Sequence, residues 1–306
     1  MKEKLIVLVG PTASGKTSTA ISIAKQIDAE IISADSRYFY KELSIGTAKP
    51  TLEEMDSIPH YLINVTNLNE EWNLAIYQEQ VKKIIRDINL RGRFPILVGG
   101  TGQYIRSITE GWKIPKQLPD QKFREAIINW SNQIGYEQLH KGLAVIDPEA
   151  AKNIDYRNVR RTVRALEVIY KTGIRFSDQR QKQNVPYDLL VLGIDMPRAE
   201  LYARIDARID QMIKDGFIEE VKLLIEQGFR DQLNKIAPIG YQEIIRYVDA
   251  EISLEEAILL IKRKTRNFVR RQANWFKPDD PVINWIKADE HMVEKMVNCI
   301  QNFLIK

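Results

Sequence analysis

The eight residues Gly10-Pro-Thr12-Ala13-Ser14-Gly15-Lys16-Thr17 follow the pattern G-x-x-x-x-G-K-S/T, whose chemistry is phosphate binding. Its glycines let backbone N–H groups turn inward around phosphate oxygens, and the following helix N-terminus adds partial positive charge. Lys16 is suited to neutralise a terminal phosphate and the Thr17 hydroxyl to ligate Mg²⁺. ATP-binding proteins share the motif, so it does not say which phosphate is held. A nucleotide triphosphatase would also place an aspartate at the end of an apolar strand to hold the metal. Phe94–Val98 ends in Gly99-Gly100-Thr101-Gly102, which offers no carboxylate. Asp35, after Ile31-Ile32, and Asp195, after Leu192-Gly193-Ile194, remain.

Other residues of chemical interest lie outside the phosphate loop. Thr101 sits in a glycine-rich turn after a strand, where its hydroxyl can face a cleft or cap the helix beginning near Gln103. Arg204 and Arg208 are four apart on a predicted helix, hence on one face. Aimed at a cleft, their planar forks would hold diphosphate oxygens and stabilise a leaving group. Asp206 and Asp210 interleave with them, which also fits a solvated surface. Two basic runs lack any acid: Arg157, Arg160, Arg161 and Arg164, and then seven basic residues between Lys262 and Lys277. Such stripes supply counter-charge to nucleic-acid phosphates, although a charge run is commonly just a solvated face. Trp275, Phe268 and Tyr241 are stacking candidates that core packing explains equally well.

These residues need elements to position them. Leu5–Val9 is a continuous apolar run, the pattern of a parallel strand buried on both faces. It is followed by a helical pattern over Thr17–Ile27, a strand over Glu30–Ala34, a helix over Asn73–Leu90 and a strand over Phe94–Val98. This alternation predicts an α/β fold, a P-loop parallel sheet core flanked by helices. After Trp112 comes a two-proline linker, Lys113–Pro119. Residues 120–172 are helical in pattern, Gln179–Pro186 is polar and loop-like, and Asp188–Ile194 returns to strand. We therefore expect a discontinuous core domain, 1–112 and 187–306, carrying an all-helical insertion over 113–186. The chain closes with long amphipathic helices: Leu201, Ile205, Ile209, Met212 and Ile213 form an apolar stripe that Phe217, Val221, Leu224 and Ile225 continue.

Composition narrows the class. Of 306 residues, 44% are hydrophobic and 28% charged, ordinary for a globular protein. No window approaches a membrane span, and the apolar run after Met1 leads into the phosphate loop instead of a cleavage site, so no signal peptide is expected. One cysteine, Cys299, excludes internal disulfides and argues against cysteine-based zinc; the three histidines share no ligand spacing. A cytoplasmic protein is expected. The net charge of +4 is too small to identify a nucleic-acid partner by itself.

The set Ala34-Asp35-Ser36-Arg37, Ile45-Gly46-Thr47-Ala48-Lys49-Pro50, Pro59-His60 and Val98-Gly99-Gly100-Thr101-Gly102 resembles the bacterial tRNA dimethylallyltransferases, or tRNA isopentenyltransferases. The likeness continues through Arg164-Ala165-Leu166-Glu167, Gly240-Tyr241 and Arg271-Gln272-Ala273-Asn274-Trp275, nearly the whole chain. It implies transfer of dimethylallyl from its diphosphate to N6 of an adenine beside the anticodon (position 37) of tRNA. It implies Asp35 as general base, Thr101 and Arg208 at the reacting centre, and the phosphate loop with Arg204 on the diphosphate. It further implies tRNA contacts by Asp35, Ser36, Arg37, Tyr38, Thr101, Arg124, Arg160, Arg161, Arg164, Gly240 and Tyr241. Mg²⁺ on Thr17 is the expected cofactor and a monomer the expected state. Three positions depart from the family pattern: Tyr38-Phe39 follows Arg37, Tyr61 follows His60, and Gln103 follows Gly102. All are expected to line or flank the substrate channel. The rival readings are an adenylate prenyltransferase acting on free AMP, ADP or ATP, a P-loop small-molecule kinase, and a non-catalytic RNA-binding protein. The helical insertion and basic runs disfavour the first, the missing aspartate-terminated strand the second, and the intact phosphate loop the third.

Overall fold

A computed structural model describes residues 2–114, 120–178 and 185–305; parts of the two-proline linker and of the polar loop lie outside them. In chain order the elements are β1 (Glu3–Val9), α1 (Lys16–Ile27), β2 (Ala29–Ser33), α2 (Leu52–Met55), β3 (His60–Tyr61), α3 (Leu74–Leu90), β4 (Phe94–Gly99) and α4 (Gly102–Thr109). Then follow α5 (Gln121–Ile134), α6 (Tyr136–Ile146), α7 (Pro148–Lys152), α8 (Val159–Thr172), β5 (Tyr187–Asp195), α9 (Arg198–Lys214) and α10 (Phe217–Glu226). The last are α11 (Arg230–Ile236), α12 (Tyr241–Val248), α13 (Leu254–Ala273), β6 (Ile283–Lys287) and α14 (Met292–Ile305).

Contacts divide the chain into two compact units. One holds residues 1–73, 77–109 and 186–306; the other holds 74–76 and 110–185. The first is built on a parallel sheet in the order β3-β2-β4-β1-β5-β6. β1 is central, so Leu5–Val9 is buried on both faces, and its uninterrupted apolar run follows from that. α1 and α14 pack with the sheet through Ile23, Ala24, Met296 and Ile300. α9, α10, α12 and α13 share a second core around Ile205, Phe217, Val221, Tyr241 and Ile261. The apolar stripe of 201–225 is broken at Gly216, whose φ of 98° ends α9 and starts α10 on a new axis. The edge strands β3 and β6 were not expected: two residues carry no periodicity, and Ile283-Asn-Trp-Ile-Lys287 alternates too briefly to stand out.

On β2, next to the edge strand β3, Glu30 is fully buried. Its carboxylate accepts from Arg91 (2.5 and 2.7 Å), Arg93 (2.9 Å) and the Tyr61 hydroxyl (2.8 Å). Bonds from Arg91 foremost hold its pKa down to about 2, against an ordinary 4.5. A depressed carboxylate stabilises the fold above its unfolded pKa and loses that contribution as pH falls through the folded one. The stability gap between wild type and Glu30→Gln should therefore be full above pH 4.5 and shrink as pH approaches 2. Urea titrations across that range check this; a gap independent of pH would remove the Glu30 charge from the account.

The helical unit has its own small core of Leu143, Ala150, Ala151, Ile154 and Ala165. α5 begins at an aspartate cap, Asp120, which accepts from the Phe123 N–H at 3.0 Å, and Asn158 caps α8 in the same way. Such side-chain caps satisfy backbone donors that the first helical turn leaves free.

Candidate active site

The C-terminal ends of β1, β2 and β4 meet at one cavity of about 900 Å³, where parallel α/β sheets hold their ligands. Thr12, Ala13, Gly15, Lys16 and Thr17 line it from the first loop, Asp35, Ser36, Arg37 and Tyr38 from the second, and Thr101 from the third. Arg204 and Arg208 enter from α9. Asp195 does not line the cavity; it is exposed, and its carbonyl accepts from the Ala288 N–H at 2.8 Å. Of the two strand-end aspartates, the fold thus brings only Asp35 to the phosphate loop.

The phosphate loop is wound tightly, the Ser14 N–H reaching the Pro11 carbonyl at 3.3 Å. Gly10 precedes it at the end of β1, and Ser14 is buried beneath it. Lys16 Nζ folds back on the Pro11 carbonyl at 2.7 Å. Burial pushes this ammonium down to about 8; Asp35 works against the shift and Arg208 with it. Arg204 Nη1 lies 3.9 Å from where a Gly15 Cβ would be and pairs with Glu200 at 2.8 Å. Arg208 donates to the Thr47 carbonyl at 3.1 Å. Three cations and a helix N-terminus thus converge without a carboxylate matched to each, an arrangement that favours a polyanion.

Asp35 is held by its own turn. Its Oδ1 accepts the Arg37 N–H at 2.9 Å, and its carbonyl accepts the Tyr38 N–H at 3.2 Å. The Thr101 hydroxyl accepts the Ser36 N–H at 3.4 Å, which ties the β2 and β4 loops together. The Tyr38 hydroxyl donates to the Ala48 carbonyl at 2.9 Å and also meets Arg208 and Thr17. Burial, then the Asp35 charge, pushes it up to about 12, so it stays a neutral donor. α9 divides its charges by face: Arg204 and Arg208 line the cavity, while Asp206 pairs with Arg266 and Asp210 with Lys262 of α13. The interleaved acids therefore bridge α9 to α13, Asp206 half-buried and Asp210 exposed.

Several expectations are corrected by the geometry. Tyr241 is fully buried and unavailable for stacking: its ring packs edge-on to Phe217, with centroids 5.0 Å apart. Its hydroxyl donates to Glu220 at 2.6 Å. Gly240 caps α12 at φ 100°, with the Phe217 ring 2.9 Å from where a Cβ would sit. Both hold the interior together. Phe39 does not line the channel either; it is buried beside Trp72, Tyr77 and Tyr104 at 5.2 to 5.5 Å. Gln103 is exposed, while Tyr61 donates to Glu30. In the helical unit, Arg124 and Arg164 are turned onto the buried Glu167, at 2.8 and 2.5 Å. Arg157 pairs with Asp155 at 2.6 Å. Arg160 and Arg161 have no ion pair among the described residues. Of the C-terminal run, Lys262, Lys264 and Arg266 are paired with Asp210, Glu243 and Asp206, whereas Arg271 lines the cavity.

Two residues that shape the site carried no earlier assignment. Glu220 accepts from Ser44 (3.2 Å), Ile45 (2.7 Å) and Gly46 (3.2 Å) and so holds the turn at Ile45–Thr47. Gln272 bonds both Thr12 and Gly100. Its signal in the sequence was a polar residue on the buried stripe of Ala257, Ile261 and Val269.

The comparisons with known proteins bear on this geometry. The family model for IPP transferase matches residues 38–279. A tRNA dimethylallyltransferase of Dehalococcoides mccartyi is 42% identical over 300 residues, spanning 98% of this chain and 92% of that one. The chain belongs to the IPP transferase family. Among solved structures, the full-length tRNA isopentenylpyrophosphate transferase of Bacillus halodurans superposes with a TM-score of 0.73 at 38% identity, covering 99% of this chain and 97% of that one. A eukaryotic dimethylallyltransferase solved acting on tRNA gives a TM-score of 0.83 at 26% identity, over 99% and 79% of the two chains. These structures share the α/β fold described above.

Proposed function

We propose that this chain transfers a dimethylallyl group from dimethylallyl diphosphate to N6 of the adenine at position 37, beside the anticodon of tRNA. The observation that carries this reading is the single cavity with a polycationic end at Lys16, Arg204 and Arg208 and a carboxylate end at Asp35. The adenine amine is a poor nucleophile because its lone pair is delocalised into the ring. Help is needed at both ends of the new bond. N6 bonds to the allylic carbon, that carbon's bond to oxygen breaks, and the diphosphate departs with the bonding pair. Asp35 accepts the N6 proton, Thr101 orients the amine, and the cations stabilise the leaving oxygens. The adenine must leave its stack to enter such a cavity.

Mg²⁺ fits this donor set. The Thr17 hydroxyl lines the cavity at the start of α1, and no cluster of three His, Cys, Asp or Glu exists among the described residues. A hard cation held by one hydroxyl and substrate phosphate oxygens is the usual arrangement for magnesium on diphosphates. When bound it neutralises phosphate charge. We expect a cytoplasmic monomer; among the described residues no helix is long and apolar enough to cross a membrane.

Labelled dimethylallyl diphosphate incubated with tRNA, with the same tRNA lacking adenine at position 37, and with AMP or ATP tests the proposal. Label is expected only in the first; label in AMP or ATP would make the chain an adenylate prenyltransferase.

Arg160 and Arg161 are the open cations of α8 and our candidates for the tRNA backbone. Their joint reversal to Glu should raise the KM for tRNA and flatten the fall of affinity with salt by roughly one unit of slope per lost phosphate contact. Donor affinity should not change. Filter binding against salt reads this, and superimposable titrations of variant and wild type would remove α8 from the tRNA surface.

A further inference from the structure

Gln272 lies in the last turn of α13 and is 4% exposed. Its Oε1 accepts the Thr12 N–H at 2.9 Å, and its Nε2 donates to the Gly100 carbonyl at 3.0 Å. The partners fix the amide's orientation, since a backbone N–H can only donate and a carbonyl can only accept. One side chain therefore clasps the phosphate loop after β1 and the glycine turn after β4. The β1–β4 register ends at Val9 and Gly99, so this amide continues the link past the end of the sheet. Gly100 is shaped for it: a Cβ there would stand 2.1 Å from Gln272 Nε2 and 3.4 Å from the Gly10 carbonyl. From Gly100 the connection runs on through the Thr101 hydroxyl to the Ser36 N–H and so to the loop that carries Asp35. The same helix presents Thr265, Phe268 and Arg271 to the cavity.

We infer that Gln272 is a positioning residue that sets the phosphate loop, and hence the donor's reacting carbon, at a defined distance from the Thr101–Asp35 side of the site. This rests on the transfer reaction proposed above. An internal hydrogen-bonded clasp restricts relative motion of two loops that would otherwise move independently, and misplacement by about 1 Å can lower turnover on the order of 10²-fold. The clasp includes neither the phosphate-facing N–H groups beyond Thr12 nor Arg160 and Arg161, so its loss acts on turnover and not on either affinity.

The test compares Gln272→Met, which keeps the volume and removes both bonds, with Gln272→Glu, which keeps the acceptor for Thr12 but sets a carboxylate oxygen against the Gly100 carbonyl. Transfer kinetics with dimethylallyl diphosphate and tRNA should show kcat lowered roughly 10–100-fold in Gln272→Met with both KM values unchanged. Backbone hydrogen exchange, recorded with Mg²⁺ and pyrophosphate, should accelerate in residues 10–17 and 99–103 together in Gln272→Met. In Gln272→Glu it should accelerate over 99–103 alone. An unchanged kcat, or raised KM values at wild-type kcat, would make Gln272 a packing residue and overturn the inference. So would exchange unaltered in either loop. A wild-type protein inactive on tRNA would defeat the proposed reaction, while the exchange pattern would still decide whether Gln272 couples the loops. If Gln272→Met does not fold, the one-sided exchange of Gln272→Glu decides, and symmetric or absent changes there overturn the clasp.

Discussion

Asp35→Asn is expected to lower transfer to tRNA by about 10²–10⁴-fold, the usual cost of removing a general base, while tRNA binding stays near wild type. The substitution is nearly isosteric, and the Asn carbonyl oxygen can still accept the Arg37 N–H that Asp35 Oδ1 accepts at 2.9 Å. The loop is therefore retained, and only the proposed proton acceptor is lost. A second consequence separates this account from simple misfolding. Asp35 raises the pKa of Lys16 against the effect of burial, so its neutralisation should let the lysine fall further below about 8. In the proposed reaction Lys16 holds phosphate only when protonated. Donor affinity in Asp35→Asn should thus decline with rising pH sooner than in wild type. Single-turnover rates and donor titrations between neutral and mildly alkaline pH check both parts. Turnover within a few-fold of wild type would show that Asp35 is not the base.

The second large effect belongs to stability. Glu167→Ala should destabilise the helical unit by about 3–5 kcal/mol, the range for removing one partner from a buried ion pair. The lower end is expected because Arg124 and Arg164 keep 29% and 31% of their side chains exposed. Glu167 itself is fully buried, and the Asp120 N–H also donates to it at 2.6 Å. Burial works against its charge, but the Arg124 fork, the Asp120 amide and Arg164 outweigh that and hold its pKa below the usual range. A depressed carboxylate contributes above its unfolded pKa, so the wild type's advantage should fade as pH falls through the acid range. Arg124→Ala should cost less, since Arg164 remains to pair the carboxylate. Urea unfolding monitored in the helical unit reads the difference; equal midpoints for Glu167→Ala and wild type would mean the cluster is not a structural centre.

The candidate phosphate loop, the buried strand before it and the helix after it, Asp35 at a strand end and Thr101 in the glycine turn were all legible in the sequence. The reason is that each is a local device: a loop conformation needs its own glycines, and a doubly covered strand needs an unbroken apolar run. The partners of charged side chains were not legible, because a partner is chosen by proximity in space. Arg124 read as an open cation, and its counter-ion Glu167, 43 residues away, could not be assigned to it from the sequence. Asp206 and Asp210 fitted a solvated helix surface, yet they pair with residues on α13 that are 60 and 52 positions away. Tyr241 and Phe39 read as candidates for substrate contact, and only the packing of distant helices and aromatic rings shows them enclosed. By itself the sequence determined the class of sheet and marked the glycine-rich loop as the candidate phosphate site. The tertiary structure alone decided which cations line the cavity beside that loop, Lys16, Arg204 and Arg208. It also brought Gln272, 260 residues beyond Thr12, into hydrogen-bond reach of the loop, because only a closed core can bury an amide and give both of its ends a partner.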